Sequence, residues 1–105
     1  MYVINTTYHV AKKKVRSCGL ANDVCELDNE QLQRLSESEF EYIQNYKKNG
    51  CRIRIGTKYM VQAQNDCGSL VFFYCDLQVW DILRKNSLLY DWNDELIKPL
   101  HENNS

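Results

Sequence analysis

An α+β fold is what this sequence predicts: an antiparallel β-sheet with two main helices packed on one face. Three observations lead there. Residues 51–64, "CRIRIGTKYMVQAQ", alternate between two kinds of side chain almost without a fault, the period of a half-buried strand. Residues 28–48 hold two helix-start signatures followed by an apolar stripe at helical spacing. Residues 69–75, "SLVFFYC", are apolar on both faces, as in a central strand or one whose second face meets a partner.

Residues 2–10 read as the first strand, with Tyr2, Ile4, Thr6, Tyr8 and Val10 on one face and Val3, Asn5, Thr7 and His9 on the other. The loop 11–26 has no clear period and contains the turn formers Gly19, Asn22 and Asp23. Connections of that length are often functional. Asp28 then caps a helix, with Gln31 three residues on and Leu27 placed to staple against Leu32. The signature repeats at Ser36 and Glu39, with Leu35 and Phe40 as the staple. Either one helix spans about 29–48 or two short ones meet near Ser36. Phe40, Ile43 and Tyr46 supply its core stripe, Lys47 and Lys48 suit its negative end, and Gly50 closes it.

For 51–64 the expectation is one unbroken strand, its odd positions facing the core. A tight hairpin at Gly56-Thr57 would set Arg52 opposite Val61 and mix the two faces. A turn at "QNDCG" leads into 69–75, and Asp76 caps a helix through Leu77, Val79, Trp80, Ile82 and Leu83 that ends near Asn86. Residues 87–92 form a fourth strand or more helix, a last helix from Asn93 stops before Pro99, and 101–105 are a frayed tail. The result is a single domain, 1–100, in the β-α-β-β-α order of a ferredoxin-like sandwich, with one sheet face left open. Trp80 belongs to the helix core, and Trp92 is assigned to the core as well.

Composition narrows the function. With 44% hydrophobic residues the chain has enough apolar side chains for a core. No apolar run approaches the ~18–20 residues of a membrane span. "MYVINTTYHV" lacks the basic and apolar regions of a secretory signal, so a cytoplasmic location is expected. The net charge of -1 argues against strong global attraction to nucleic acid or membrane. Its distribution is uneven: residues 11–20 carry +4, 21–46 carry -6, 47–58 carry +5 and 59–105 carry -4.

The two basic segments supply the candidate site. Arg52, Arg54 and Lys58 are expected in a row across the open sheet face, about 6.6–7 Å apart. His9 or Tyr8, and Phe72 or Tyr74, would join them from neighbouring strands. Lys12, Lys13, Lys14 and Arg16 in the loop act together with them, in a run that also fits the basic pattern of a nuclear-import signal. The bland alternative is a solvated basic face that protects a sheet edge.

"MYVINT", residues 1–6, resembles the first-strand motif of RNA recognition motif domains, a hydrophobic–aromatic–Val–x–Asn run. The companion motif, basic–Gly–aromatic–small–aromatic, has no counterpart in "CGSLVFFYC". The helix that should follow the first strand starts only near residue 29, so the chain is not assigned to that family.

Five cysteines, at 18, 25, 51, 67 and 75, include no C-x2-C pair, so neither a zinc site nor a cofactor is expected. Five unlinked thiols are expected instead, Cys51 and Cys75 buried in strands and Cys18, Cys25 and Cys67 in loops. The sequence has no Gly-rich phosphate loop and no Gly-x-Ser-x-Gly, and Cys18 with His9 is the nearest approach to a nucleophile pair. The functional expectation is a non-catalytic regulator that binds another protein with an acidic surface through the basic face and the loop 11–26. Single-stranded nucleic-acid binding by that face is the first alternative, and a thiol-dependent enzyme or redox protein using Cys18 or Cys25 the second. A homodimer over 69–75 would cover that apolar strand.

Overall fold

Three of the helical segments start at the side chain that takes up their first free N–H groups. The computed structural model describes residues 2–89. Asp28 accepts the Gln31 N–H while Gln31 returns a bond to the Asp28 N–H, a complete capping box that opens α2 (Asn29–Leu32). Ser36 and Glu39 repeat the arrangement at the start of α3 (Glu37–Lys48). Asp76 accepts from both Gln78 and Val79 at the start of α4 (Leu77–Lys85). Of the two arrangements open for 29–48, the pair of short helices meeting at Ser36 is the one that forms. A further helix, α1 (Ala21–Cys25), lies inside the segment expected to be loop, and it has no side-chain cap.

Two sheets form. β1 (Tyr2–Val10), β4 (Lys58–Asp66) and β5 (Ser69–Asp76) make an antiparallel sheet in the order β1-β4-β5. β2 (Arg16–Ser17) and β3 (Arg52–Ile53) make a second, two-stranded one. β4 and β5 are joined through Cys67 and Gly68, whose φ angles of 52° and 86° are those of a type I′ hairpin turn, and Asn65 Oδ1 accepts the Gly68 N–H.

Three expectations need correcting. The strand expected over 51–64 is broken at Arg54–Thr57, where Gly56 takes φ 90° and the Thr57 N–H bonds the Arg54 carbonyl. The break is not the tight hairpin weighed above, because β3 pairs with β2 and β4 pairs with β1 and β5. Second, β1 lies beside β4 at the sheet edge, antiparallel to it, and not in the split β-α-β pairing of a ferredoxin-like order. Third, 69–75 is an edge strand whose first half is exposed, Leu70 by 59% and Phe72 by 55%. The candidate fourth strand does not form over Ser87–Leu89, where Leu88 and Leu89 turn into the core. The rest of that segment, Trp92, the helix from Asn93 and the tail lie outside the described residues.

The core sits between the three-stranded sheet and the helices. Register places Met60, Cys75 and Phe73 on one sheet face, and α4 packs there, with Trp80 edge-on to Phe73 at 6.4 Å. Val79, Ile82 and Leu83 of α4 are buried, each contributing about 1.5–3 kcal/mol of apolar transfer. α3 packs on α4 and α1, with Ile43 and Tyr46 buried. α4 packs along β4 and β5, while α3 reaches the sheet at the end of β5 through the Tyr42–Asp76 hydrogen bond. Gly19 is at the one point where the chain passes flat against the Phe73 ring, its N–H bonding the Tyr74 carbonyl at 2.7 Å, and a Cβ there would collide with that ring. Among the described residues no helix is long and apolar enough to cross a membrane.

Asp76 joins these layers. It is 3% exposed, caps α4, and accepts the Tyr42 hydroxyl of α3 at 2.8 Å, while its own N–H bonds the Cys18 sulfur at 3.4 Å. Burial raises its carboxyl above the ordinary 3.8, against the pull of Tyr42 and the Val79 and Gln78 N–H groups. The folded state thus binds this proton where the unfolded chain has released it, so this group's contribution to stability falls as pH rises from 3.8 through the folded value. Asp76→Ala should cost about 2–4 kcal/mol in urea unfolding, from a lost cap and an orphaned Tyr42 hydroxyl. Asp76→Asn should cost less, because its amide oxygen can still cap, and should remove this group's loss of stability as pH rises above 3.8.

Candidate functional site

The two basic segments, far apart in sequence, run antiparallel in space. The Ala11 N–H bonds the Thr57 carbonyl at 3.0 Å and the Gly56 N–H bonds the Ala11 carbonyl at 2.7 Å. Further along, Arg16 pairs with Ile53 and Ser17 with Arg52. The residues between are therefore Lys12, Lys13 and Lys14 on one side and Arg54 on the other, with Lys58 just beyond, opposite Val10. Lys12, Lys13, Lys14, Arg52, Arg54 and Lys58 are all exposed. Among the described residues the ion pair found is Lys85 with Glu39, 3.6 Å apart on α4 and α3, and none of these six cations is ion-paired with a described carboxylate.

This differs from the expected row. Arg52 and Arg54 precede the turn at Gly56 and belong to a ribbon at the end of the large sheet, not to its open face. They border a cavity of about 220 Å³ together with Tyr42, Asn45 and Asp76. Lys58 does start β4, but its neighbours of the same parity, Met60 and Gln62, face α4, and Met60 is 2% exposed. The expected odd core face holds at Ile53 and Tyr59 and fails at Ile55, which is 59% exposed in the turn.

The open face of the three-stranded sheet is aromatic. Register puts His9, Tyr59, Tyr74, Val61 and Phe72 on the side away from α4. His9 stacks on Tyr59 at 5.4 Å and Tyr59 on Tyr74 at 6.3 Å. The Arg16 guanidinium lies 5.5 Å from the centroids of both tyrosine rings, the geometry of a cation–π contact. His9 also bonds the Thr7 hydroxyl at 2.9 Å. Of the expected site residues, His9, Tyr74 and Arg16 come together on this face, whereas Tyr8 points to the opposite one. Tyr59 is a core residue, as its parity predicts, at 7% exposure, and Arg16, forty-three positions away in sequence, lies over its ring.

The cysteines part from expectation at three positions, the first being Cys25, which ends α1 and does not lie in a loop. Cys18, expected in an exposed loop, is buried, and Cys51 lies not in a strand but in the turn after α3 with φ 55°. Cys75 is buried, and its thiol is pushed far up by burial first and by the Cys18 and Asp76 groups after it. The Cys18 sulfur accepts the Asp76 N–H, and His9 is occupied by Thr7 and Tyr59, so the suggested nucleophile pair is not assembled. Among the described residues no group of three or more His, Cys, Asp or Glu is arranged to hold a metal ion. No family model, curated protein or solved structure matches this chain.

Arg16 covers the Tyr59 and Tyr74 rings, so Arg16→Ala should lower stability by about 1–2 kcal/mol and raise the solvent exposure of tyrosine in ultraviolet difference spectra. A Lys at this position should recover only part of the loss, because it lacks the planar guanidinium.

Proposed function

We propose that this chain is a small non-catalytic binding protein that recognises another protein with an acidic surface, through the cationic ribbon and the loop 11–26. What carries the reading is the antiparallel approach of segments 11–17 and 52–58, which gathers six exposed cations, none of them ion-paired among the described residues. Clusters of one sign raise encounter rates and reject partners of like charge, and they add little to folding stability. Loop residues held by a folded scaffold are also where recognition is commonly placed.

A second reading has its own observation. His9 and Phe72 are exposed on the sheet face away from α4, with Arg16 between them over the half-buried Tyr74 and the buried Tyr59, and exposed rings beside a guanidinium are groups on which bases stack and phosphates pair. In this reading single-stranded nucleic acid occupies the open face while the ribbon follows its backbone.

Two outcomes separate these. Under the protein reading, Arg52→Glu with Arg54→Glu abolishes co-purification of a nuclease-resistant partner from the protein's own cell lysate and leaves circular dichroism unchanged. Retention of the partner by that double variant overturns the reading. Under the nucleic-acid reading, fluorescence anisotropy with a labelled single-stranded oligonucleotide shows binding that falls steeply with salt, and Phe72→Ala weakens it by about 1–3 kcal/mol. Binding indifferent to salt and to Phe72 removes it.

A further inference from the structure

One face of α3 ends in a small polar cavity. Tyr42, Tyr46 and Asn49 follow one another at spacings of four and three, so they share that face, and with Arg52, Arg54 and Asp76 they line about 220 Å³. The closure of the helix brings the arginines back past it. Gly50 takes φ 83° and Cys51 φ 55°, with the Gly50 N–H on the Lys47 carbonyl and the Cys51 N–H on the Tyr46 carbonyl. The Arg52 side chain then lies over Gly50, its Nε 3.8 Å from where a Cβ would stand.

The lining is short of one partner. Tyr42 donates its hydroxyl to Asp76, and Asn49 donates its amide to the Asn45 carbonyl. Tyr46 is only 5% exposed, and its hydroxyl is buried with no hydrogen-bond partner among the described residues. A donor left so is costly, and its usual explanation is a bound molecule that supplies the acceptor. Arg52 and Arg54 are exposed and not ion-paired with a described carboxylate. The negative end of α3 does not need them, because Lys47 and Lys48 already stand in its last turn.

Size and charge narrow the occupant. The space holds about seven waters at ~30 Å³ each, and a nucleotide or other large ligand needs ~300 Å³ or more. Two guanidiniums and one carboxylate leave the lining with a single positive charge. That suits a monoanion better than a phosphate monoester, which carries about two negative charges.

We propose that this cavity is a carboxylate-binding site, in which Arg52 and Arg54 hold the anion and the Tyr46 hydroxyl donates to one of its oxygens. The forked guanidinium matches the two oxygens of a carboxylate. The group belongs to a small free acid or to an acidic side chain of the partner proposed above, and in the second case the inference rests on that reading.

The test is nuclear magnetic resonance on the isotope-labelled chain. It is titrated with sodium acetate and, separately, with a blocked peptide holding a single glutamate, each against sodium chloride at equal ionic strength. Acetate should give saturable shifts at the Arg52 and Arg54 Nε–H groups and at the Tyr46 and Asn49 amides. Tyr46→Phe should weaken acetate binding about tenfold or more. Its melting temperature in chloride should stay the same or rise, because the hydroxyl removed had no partner; a hydroxyl with a structural role would lower it. Arg54→Gln, at an exposed turn position, should weaken binding without loss of fold. Acetate and peptide binding alike identify a side chain as the source, and acetate alone identifies a free acid. Absence of saturable acetate shifts, shifts spread evenly over the exposed lysines, or full binding by Tyr46→Phe would each overturn the proposal. Acetate is read without a partner protein, so a failure here leaves the protein-binding reading standing.

Discussion

A carboxylate at 3% exposure is costly unless its oxygens are taken up, and in this protein four parts of the chain combine to take up those of Asp76 or bond its backbone. Its own residue ends β5 and caps α4. Tyr42 reaches it from α3, and Cys18 receives its N–H from the segment that follows β2. Sheet, last helix, middle helix and first loop are thereby referred to one point. Such a node gives the layers a common register, because shifting any of them leaves a buried polar atom without a partner.

The placement of the cationic ribbon depends on that point. Cys18 and Gly19 are fixed to the outer edge of β5 through Asp76 and Tyr74, and Arg16 and Ser17 are held a residue or two before them against β3. Arg16 can therefore lie on the open face over Tyr59 and Tyr74 while Lys12, Lys13 and Lys14 stay in solvent. A guanidinium suits the first position, since its flat, weakly hydrated surface tolerates partial burial on rings, and ammonium groups suit the second.

What the sequence made legible was local. Both capping boxes, the Asp76 cap, the extent of the first strand and the helix 77–85 rest on residues within four positions of one another, and all are present. Strand partners were not legible, because period two states that a strand has two faces and not what covers each. Alternation through 51–64 continued across Gly56 without a break in pattern, although the chain turns there and changes sheets. The helix Ala21–Cys25 has no capping side chain and only Val24 buried, so it had no signal to show. The basic residues were identifiable as a group, while their assembly into a ribbon required the Ala11 to Thr57 pairing, a contact of long sequence range.

The register of the large sheet also has a consequence in time. β4 and β5 join through a two-residue turn and can zip as soon as both exist, but β1 pairs with β4, whose first residue comes 48 positions after Val10. At a synthesis rate of ~5–20 residues per second, β1 waits roughly 2–10 s without its partner. It is nine residues long and carries no Asp, Glu, Lys or Arg, the composition of a segment prone to pair with other chains. Lys12, Lys13 and Lys14 follow it almost at once. Charges flanking such a strand repel like strands on neighbouring nascent chains, so the same lysines that mark a surface of the finished protein guard its unfinished one.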